Sequence, residues 1–419
     1  MHERIVEIET DASRIRCLKA DVEEVVSLRL SWPLSVGTTN AEVVWTDLAS
    51  MLMDKGTVNR SKADLSALFE DRGADFNVAT DGLQMRAGLR CLTRDFGELF
   101  PIVAECLWEA AYPEPEISLA AGRLRTHIMR EKSDTASQAG TALAARLFPE
   151  THPNHDPGID ARLAVLQELD FQEFRSFAMS RLRPSPLHMA VVGDVQPGMV
   201  QELAETHLHG RPVRDVPART FLHAARATGG QEHVMVADRK NLDVRIGHAL
   251  GLDRSHPDFD ALSVAVFVLG GNFSSRLMST VRDQDGLTYG VGSGLQGFDR
   301  DVSGAWVTRI SLSQENLDRG LRRTHEEIER FVTGGISPEE LEEVVQTMAG
   351  SWLVHLGTTG GMAGRIRRHM ELGMPAKELD EWPVRLHHLR AEDVNRIIRE
   401  WLDPSALWTC SAGERIPTD

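Results

Sequence analysis

The densest run of chemistry-bearing residues is Leu269–Phe298, LGGNFSSRLMSTVRDQDGLTYGVGSGLQGF, in which seven glycines fall in thirty residues. An arginine-bearing segment separates the glycines, and Tyr289 is one of two tyrosines in the chain. Ser274 or Ser275 caps a short helix over Arg276–Asp285 that turns Leu277, Met278 and Val281 inward. Arg282 falls in the last turn, where the helix dipole favours a cation. Gly286 lets the chain reverse, and Leu287–Gly294 reads as a strand. The reversal brings the Arg282 guanidinium and the Tyr289 hydroxyl to one end of a sheet. Together they can donate hydrogen bonds to a peptide carbonyl or a developing oxyanion. The alternative is a glycine-rich loop packed against its neighbour, with a tyrosine at its rim and a dipole-stabilising arginine.

Other chemistries find little support. The chain has no H-E-x-x-H, no H-x-x-E-H, no G-x-S-x-G, no P-loop and no dinucleotide fingerprint. His152-Pro-Asn-His155 has a metal-like spacing but sits between prolines with no third ligand, and reads as a structural turn. His325 reads as a solvated residue on a charged helix face, and His387-His388 as surface residues. Gly270-Gly271 and Gly334-Gly335 lack phosphate-cradling spacing, and Gly360-Gly361 reads as a helix C-cap. Cys17, Cys91, Cys106 and Cys410 are widely spaced, without a C-x-x-C pair, which fits reduced thiols in a cytoplasmic protein.

The elements that must position Arg282 and Tyr289 come in two similar series. In the first, Val26, Leu28, Leu30 and Trp32 alternate with Ser27, Arg29 and Ser31 as a half-buried strand. An apolar stretch, Val43–Met53, precedes an N-cap at Ser61 with Asp64, a helix through Leu65 and Phe69, and a stop at Gly73. A strand-like run, Phe76–Leu89, and a helix from near Pro115 through Ile128 follow. Leu187–Val195 closes the half as a buried strand. In the second series Val244, Ile246, His248 and Leu250 alternate as a strand, and Phe259–Leu269 reads as an apolar helix. Ala305–Leu312 is a strand. Ser337-Pro338-Glu339-Glu340 is a capping box with proline at the first helical position, and Ala406–Ser411 is the final strand. The seam is Gly210–Arg226, which divides the chain into domains at residues 1–212 and 213–419. The fold class is α+β: two related domains, each a mostly antiparallel sheet covered by helices on one face.

With 419 residues, the chain is long enough for about two to four domains. A net charge of −16 disfavours a nucleic-acid binder and favours basic over acidic peptides as ligands. No run approaches the roughly 20 apolar residues of a membrane helix, and the charged start lacks a signal-peptide core. Lysine is scarce beside arginine, which reflects either genome composition or a use of planar, bidentate contacts.

The run LGG-x-FSSRL-x-x-x-x-R-x-x-x-GL-x-Y-G resembles the second domain of the insulinase-like, or pitrilysin-type, zinc metallopeptidases. The resemblance extends to Asp54–Asp81, to the HPNHDP turn at His152–Pro157 and to Val191–Val195, and so spans essentially the whole chain. It implies the fold shared by the mitochondrial processing peptidase and the insulinase-like metallohydrolases. Active members carry H-x-x-E-H on the helix before a KGT-like turn. Counting back from Lys55-Gly56-Thr57, that motif falls here on Asp47, Ser50 and Met51, and the third-ligand position falls near Thr126 or His127. No register supplies the three ligands that a catalytic zinc requires. The resemblance therefore implies a non-catalytic subunit of a heterodimeric peptidase that binds no zinc itself. A homologous partner would bring H-x-x-E-H and Zn2+, and Arg282 and Tyr289 would act at the partner's site on a peptide added as a strand. The alternatives are a structural core-type subunit, or a peptide-binding partner in maturing a ribosomal peptide such as the pyrroloquinoline quinone precursor. Neither a nucleic acid nor a membrane is implied as a partner.

Overall fold

The computed structural model describes residues 1–34, 39–215, 224 and 228–415. Most of the Gly210–Arg226 seam, residues 216–223 and 225–227, lies outside the described residues. The chain forms two units, each discontinuous in sequence. The first takes Met1–Arg125, Arg162–Ala218 and Ser351–Trp382; the second takes Thr126–Ala161, Arg219–Gly350 and Pro383–Asp419.

The first unit is built on six strands, β1 (Ile5–Glu9), β2 (Ser13–Lys19), β3 (Val25–Pro33), β4 (Asp75–Thr80), β5 (Gln84–Leu92) and β6 (Leu187–Gly193). Their order is β1-β2-β6-β3-β5-β4, antiparallel except for the parallel pair β2–β6. The second unit has β7 (Gly230–Met235), β8 (Leu242–Ala249), β9 (Val291–Gln296), β10 (Ala305–Leu312) and β11 (Trp408–Gly413). Their order is β7-β11-β8-β10-β9, again antiparallel except for one pair, β7–β11. The second sheet thus repeats the first without its outer strand, as the two series of elements led us to expect, and the α+β class holds. The repeat extends to single residues: β6 and β11 both end in glycines with positive φ, Gly193 at +149° and Gly413 at +146°. A Cβ on Gly193 would stand 2.1 Å from the Val25 carbonyl oxygen, so only glycine fits there.

Several local expectations shift. Phe76–Leu89 is a hairpin rather than one run, because Asp81-Gly82 turns the chain. Gly82 has φ +80°, and Asp81 Oδ1 accepts hydrogen bonds from the backbone of Leu83 (3.1 Å) and Gln84 (2.9 Å). The last strand begins at Trp408, two residues later than expected, because Asp403 caps a short turn at Pro404–Ala406. Gly360-Gly361 open a helix instead of ending one. Thr358 is the N-cap of Thr359–Glu371 and accepts from the Gly361 N–H, while a Cβ on Gly361 would lie 1.8 Å from the His355 carbonyl oxygen.

The larger departure concerns β3. Val26, Leu28, Leu30 and Trp32 are buried as expected, but Ser27 and Ser31 on the opposite face are also fully buried. Their cover is the helix Thr359–Glu371, more than three hundred residues later in the chain, which lies on β3 and β6. Ser27 Oγ and Thr359 Oγ1 are 2.9 Å apart and satisfy each other. Ala363, Ile366 and Met370 pack on Leu18, Ala190 and Val192; burying an isoleucine of this kind contributes about 1.5–3 kcal/mol. The helix closes on Glu371, whose fully buried carboxylate meets Arg86 (3.1 Å), Arg368 (3.1 Å) and Arg367. The second sheet is covered in the same manner by a helix of the opposite series. Thr135–Leu147 lies on β8 and β11, and its first residue donates to Asp243 (2.6 Å), the residue of β8 that corresponds to Ser27.

Burial alone would raise the Glu371 pKa, but Arg367, Arg86 and Arg368 hold it below the ordinary carboxylate range. A folded-state pKa below the unfolded value contributes stability above about pH 4.3, lost as pH falls further. Glu371→Gln should therefore cost the first unit about 3 kcal/mol in urea unfolding at pH 7, since it leaves buried cations unmatched. The deficit should narrow progressively below pH 5.

Candidate functional site

The site segment leaves the helix Phe259–Gly270 and crosses β9 closely; a Cβ on Gly270 would lie 2.3 Å from the Ser293 nitrogen. It then forms a short helix whose second half, Met278–Gln284, is a π-helical turn. The Asp285 N–H bonds to the Thr280 carbonyl five residues back (3.2 Å). Leu277, Met278 and Val281 face inward as expected. Gly286 has φ +62° and ends the turn.

This helix is clamped at both ends. At its start Arg276 donates bidentately to Glu340, Nε and Nη2 each at 2.7 Å, and Nη2 also donates to the Gly335 carbonyl at 2.7 Å. Its guanidinium also lies over the Phe331 ring, 5.4 Å from the centroid. Glu340 is the closing member of the expected capping box, accepting from the Ser337 N–H (2.8 Å) while its own N–H donates to Ser337 Oγ (3.2 Å). Burial opposes ionisation of Glu340, but the Arg276 and Ser337 hydrogen bonds outweigh it and lower its pKa. At the other end Arg323 Nε donates to Asp285 (2.7 Å).

Arg282 sits in the last turn, partly exposed, with Nη1 at 3.3 Å from Asp283 and its guanidinium over the Phe273 ring at 5.8 Å. Strand β9 starts at Val291, four residues after Leu287, because Thr288 diverts the backbone. Its hydroxyl bonds to the carbonyls of Gly290 (3.0 Å) and Ser311 (2.6 Å) and accepts from the Gly290 N–H (3.1 Å). The chain is thereby pinned to the end of β10 on either side of Tyr289, whose ring is left 100% exposed. Tyr289 and Phe273 stand at the mouth of a cleft of about 450 Å³ whose lining includes Met278, Gly292, Arg245 and Arg309. Phe273, which lines the cleft, is also the ring over which the Arg282 guanidinium lies. Tyr289 is thus part of the cleft lining, and Arg282 lies outside it against Phe273.

The position of the inverted zinc motif does not fit a metal. Asp47 is half-buried on the helix Asn40–Ser50, Ser50 Oγ donates to the Asp47 carbonyl (2.8 Å), and Met51 follows the helix end. His127 is mostly exposed and pairs with Glu131 at 3.2 Å. Among the described residues no three His, Cys, Asp or Glu side chains are grouped to hold a metal ion. The four cysteines are buried and free; burial pushes each thiol up to about 12, which removes them as nucleophiles at neutral pH.

His152–His155 is a structural turn. His152 is buried, stacks on Phe148 at 4.6 Å and accepts from the Asn154 N–H, and Asn154 Nδ2 donates to the carbonyls of Gly297 (2.8 Å) and Ser303 (3.0 Å). His325 differs from expectation. It is half-buried, bonded to Thr409 Oγ1 (3.1 Å), and burial lowers its pKa. Sequence reasoning missed Phe273 and the paired arginines of the cleft; the alternation of Arg245 in β8 and Arg309 in β10 was their one signal.

Comparison with known proteins agrees with this architecture. A family model described as the peptidase M16 inactive domain matches residues 168–348. An uncharacterized zinc protease of Streptomyces coelicolor is 22% identical over 84% of this chain and 76% of its own length. A Helicobacter pylori protein named non-peptidase homolog YmxG is 19% identical over 84% of this chain and 80% of its own. A peptidase M16 inactive domain from Pseudomonas fluorescens, a crystal structure, shares the fold with a TM-score of 0.87 and 19% identity, over 99% of both chains.

The clamp is open to a direct test. In a double-mutant cycle, Arg276→Ala and Glu340→Ala should show a coupling energy of about 1.5–3 kcal/mol in denaturant unfolding, the range for hydrogen bonds between charged groups. A coupling near zero would mean that the Arg276–Glu340 contact does not hold the helix start.

Proposed function

With residues 168–348 matched to the M16 inactive domain and the whole chain sharing the fold of a solved member, we propose that this protein is the non-catalytic subunit of a two-subunit metallopeptidase. A homologous partner carrying H-x-x-E-H brings the zinc. This chain contributes Arg282 and Tyr289, which bind the substrate backbone and stabilise the charge that develops on the scissile carbonyl oxygen.

The observation that carries the reading is the state of Tyr289. An aromatic side chain left wholly in solvent gains nothing from burial, yet the chain on both sides of it is fixed by Thr288. A rigidly mounted hydroxyl with no internal partner among the described residues suits a donor whose acceptor arrives from outside. Arg282 is mounted comparably, on a turn held at both ends, and among the described residues its one ion pair is with Asp283. A scaffold subunit has no use for such an arrangement. A hydrolytic water activated by the partner's zinc would complete the site. No residue of this chain is assigned to hold the metal. The reading places the protein in the cytoplasm, and no helix among the described residues is long and apolar enough to cross a membrane.

Affinity capture from the native cell should recover a near-equimolar partner of similar length bearing H-x-x-E-H. Metal analysis should find stoichiometric zinc in the pair and none in the isolated chain. In the pair, Tyr289→Phe should lower kcat about 10²- to 10³-fold with little change in KM, the effect of losing one oxyanion donor. It should leave the unfolding midpoint unchanged, because the ring is fully exposed. Full turnover by the Tyr289→Phe complex would overturn the proposal.

A further inference from the structure

The cleft beside Tyr289 holds two arginines in an unusual electrostatic position. Arg245 in β8 and Arg309 in β10 are direct cross-strand partners, an arrangement in which like charges destabilise a sheet. Neither forms an ion pair among the described residues. Other partly buried arginines of the same unit do: Arg254 and Arg385 with Asp260, Arg276 with Glu340, Arg323 with Asp285. Asp243, in the same cleft lining, offsets part of this charge without pairing with either arginine; its oxygens accept from Thr135 and Ser311, one on each. Among the described residues the Arg245 guanidinium has one hydrogen bond, to the Val244 carbonyl at 3.2 Å. Burial works against its charge, as does the neighbouring Arg309, while Asp243 and Asp134 favour it; burial prevails.

The shape of the cleft shows where a counter-charge can enter. Arg309 lies across Gly292 of β9; a Cβ on Gly292 would meet Arg309 Nε at 3.6 Å and Nη2 at 3.9 Å. Gly290 and Gly294 keep the same face of the strand bare, with nothing within 4 Å of their Cβ positions. Strand β9 pairs with β10 on one side and has no strand partner on the other among the described residues. The missing side chains let a guanidinium extend over the edge strand towards the cleft mouth, where Tyr289 and Phe273 stand.

We infer that this cleft is a carboxylate subsite, in which Arg309 and Arg245 receive an acidic group of the bound peptide. The inference rests on the reading that peptide is bound beside Arg282 and Tyr289, and it names the substrate class. Planar guanidinium groups suit bidentate contact with a carboxylate, and the volume is that of a small-ligand pocket. The chain's net charge of −16 points the other way, towards basic peptides. Two arginines against the one carboxylate of the lining, Asp243, leave the cleft net positive, and this local charge outweighs a net charge spread over the whole surface and screened beyond about 8–10 Å. The carboxylate can belong to a Glu or Asp side chain or to a peptide C-terminus.

The test is isothermal titration of the full chain with four N-acetylated eight-residue peptides. They carry a central Glu or Gln on an otherwise uncharged sequence, each with a free or amidated C-terminus. The amidated Glu peptide, or the free-terminus Gln peptide, should bind at least about tenfold more tightly than the amidated Gln peptide, with the preference weakening as salt rises. Whichever of the two holds the advantage identifies the source of the carboxylate. Arg309→Gln should abolish the preference without lowering the unfolding midpoint, since it relieves a like-charge pair. Equal affinities, no binding by any of the four, or a preference that survives Arg309→Gln would overturn the subsite. The partner capture and the Tyr289→Phe kinetics do not involve Arg309, so failure here leaves the subunit reading to stand or fall separately.

Discussion

Each sheet carries a polar row on its central strand that is covered, fully in the first sheet and in part in the second, by a helix, and the rest of the architecture follows from that cover. Ser27 of β3 is satisfied by Thr359, and Asp243 of β8 by Thr135. In both cases the covering residue is the first of a helix contributed by the opposite series of elements. A buried hydroxyl or carboxylate left unpaired costs several times what a made hydrogen bond contributes. The exchange of helices is therefore an obligation of these strands, and the aliphatic contacts behind each first residue reinforce it.

The site inherits its rigidity from the second of these sheets. Strands β9 and β10 provide the anchor at Ser311, the capping box of the helix Pro338–His355 provides Glu340, and the helix Leu317–Gly334 provides Arg323. These elements converge on the stretch from Arg276 to Thr288, adding directional contacts to the buried side of Leu277, Met278 and Val281. Ionic and hydrogen-bonding contacts of this kind fix direction more sharply than apolar packing does. That suits a segment whose product is the orientation of two side chains.

Much of this was legible in the residues themselves. The N-cap at Ser61, the capping box at Ser337, the turn at Gly286, the inward set Leu277, Met278 and Val281, and the duplicated order of elements are local signals, and they held. The failures are non-local. Ser27 and Ser31 look solvent-facing because alternation records polarity, while the cover over them is contributed by Thr359. Arg276 reads as an ordinary helix-start residue because its partner is Glu340, sixty-four positions on. The arginine pair of the cleft needed the β8–β10 register to become visible, since each member alone is an unremarked polar position in a strand.

The exchanged helices also set a timetable. The strands of the first sheet are all present once Gly193 has been made, but the helix that covers its polar row begins at Thr359. A chain emerging from the ribosome at about 5–20 residues per second holds that face uncovered for several seconds at least. During this interval Ala190 and Val192 stand beside unsatisfied Ser27, as sticky as any folding intermediate. The second sheet waits on no such delay, because Thr135–Leu147 is already made when β8 and β11 appear. Within one molecule of near-repeated design, the first half is thus the slow and aggregation-exposed one, and the order of synthesis makes it so.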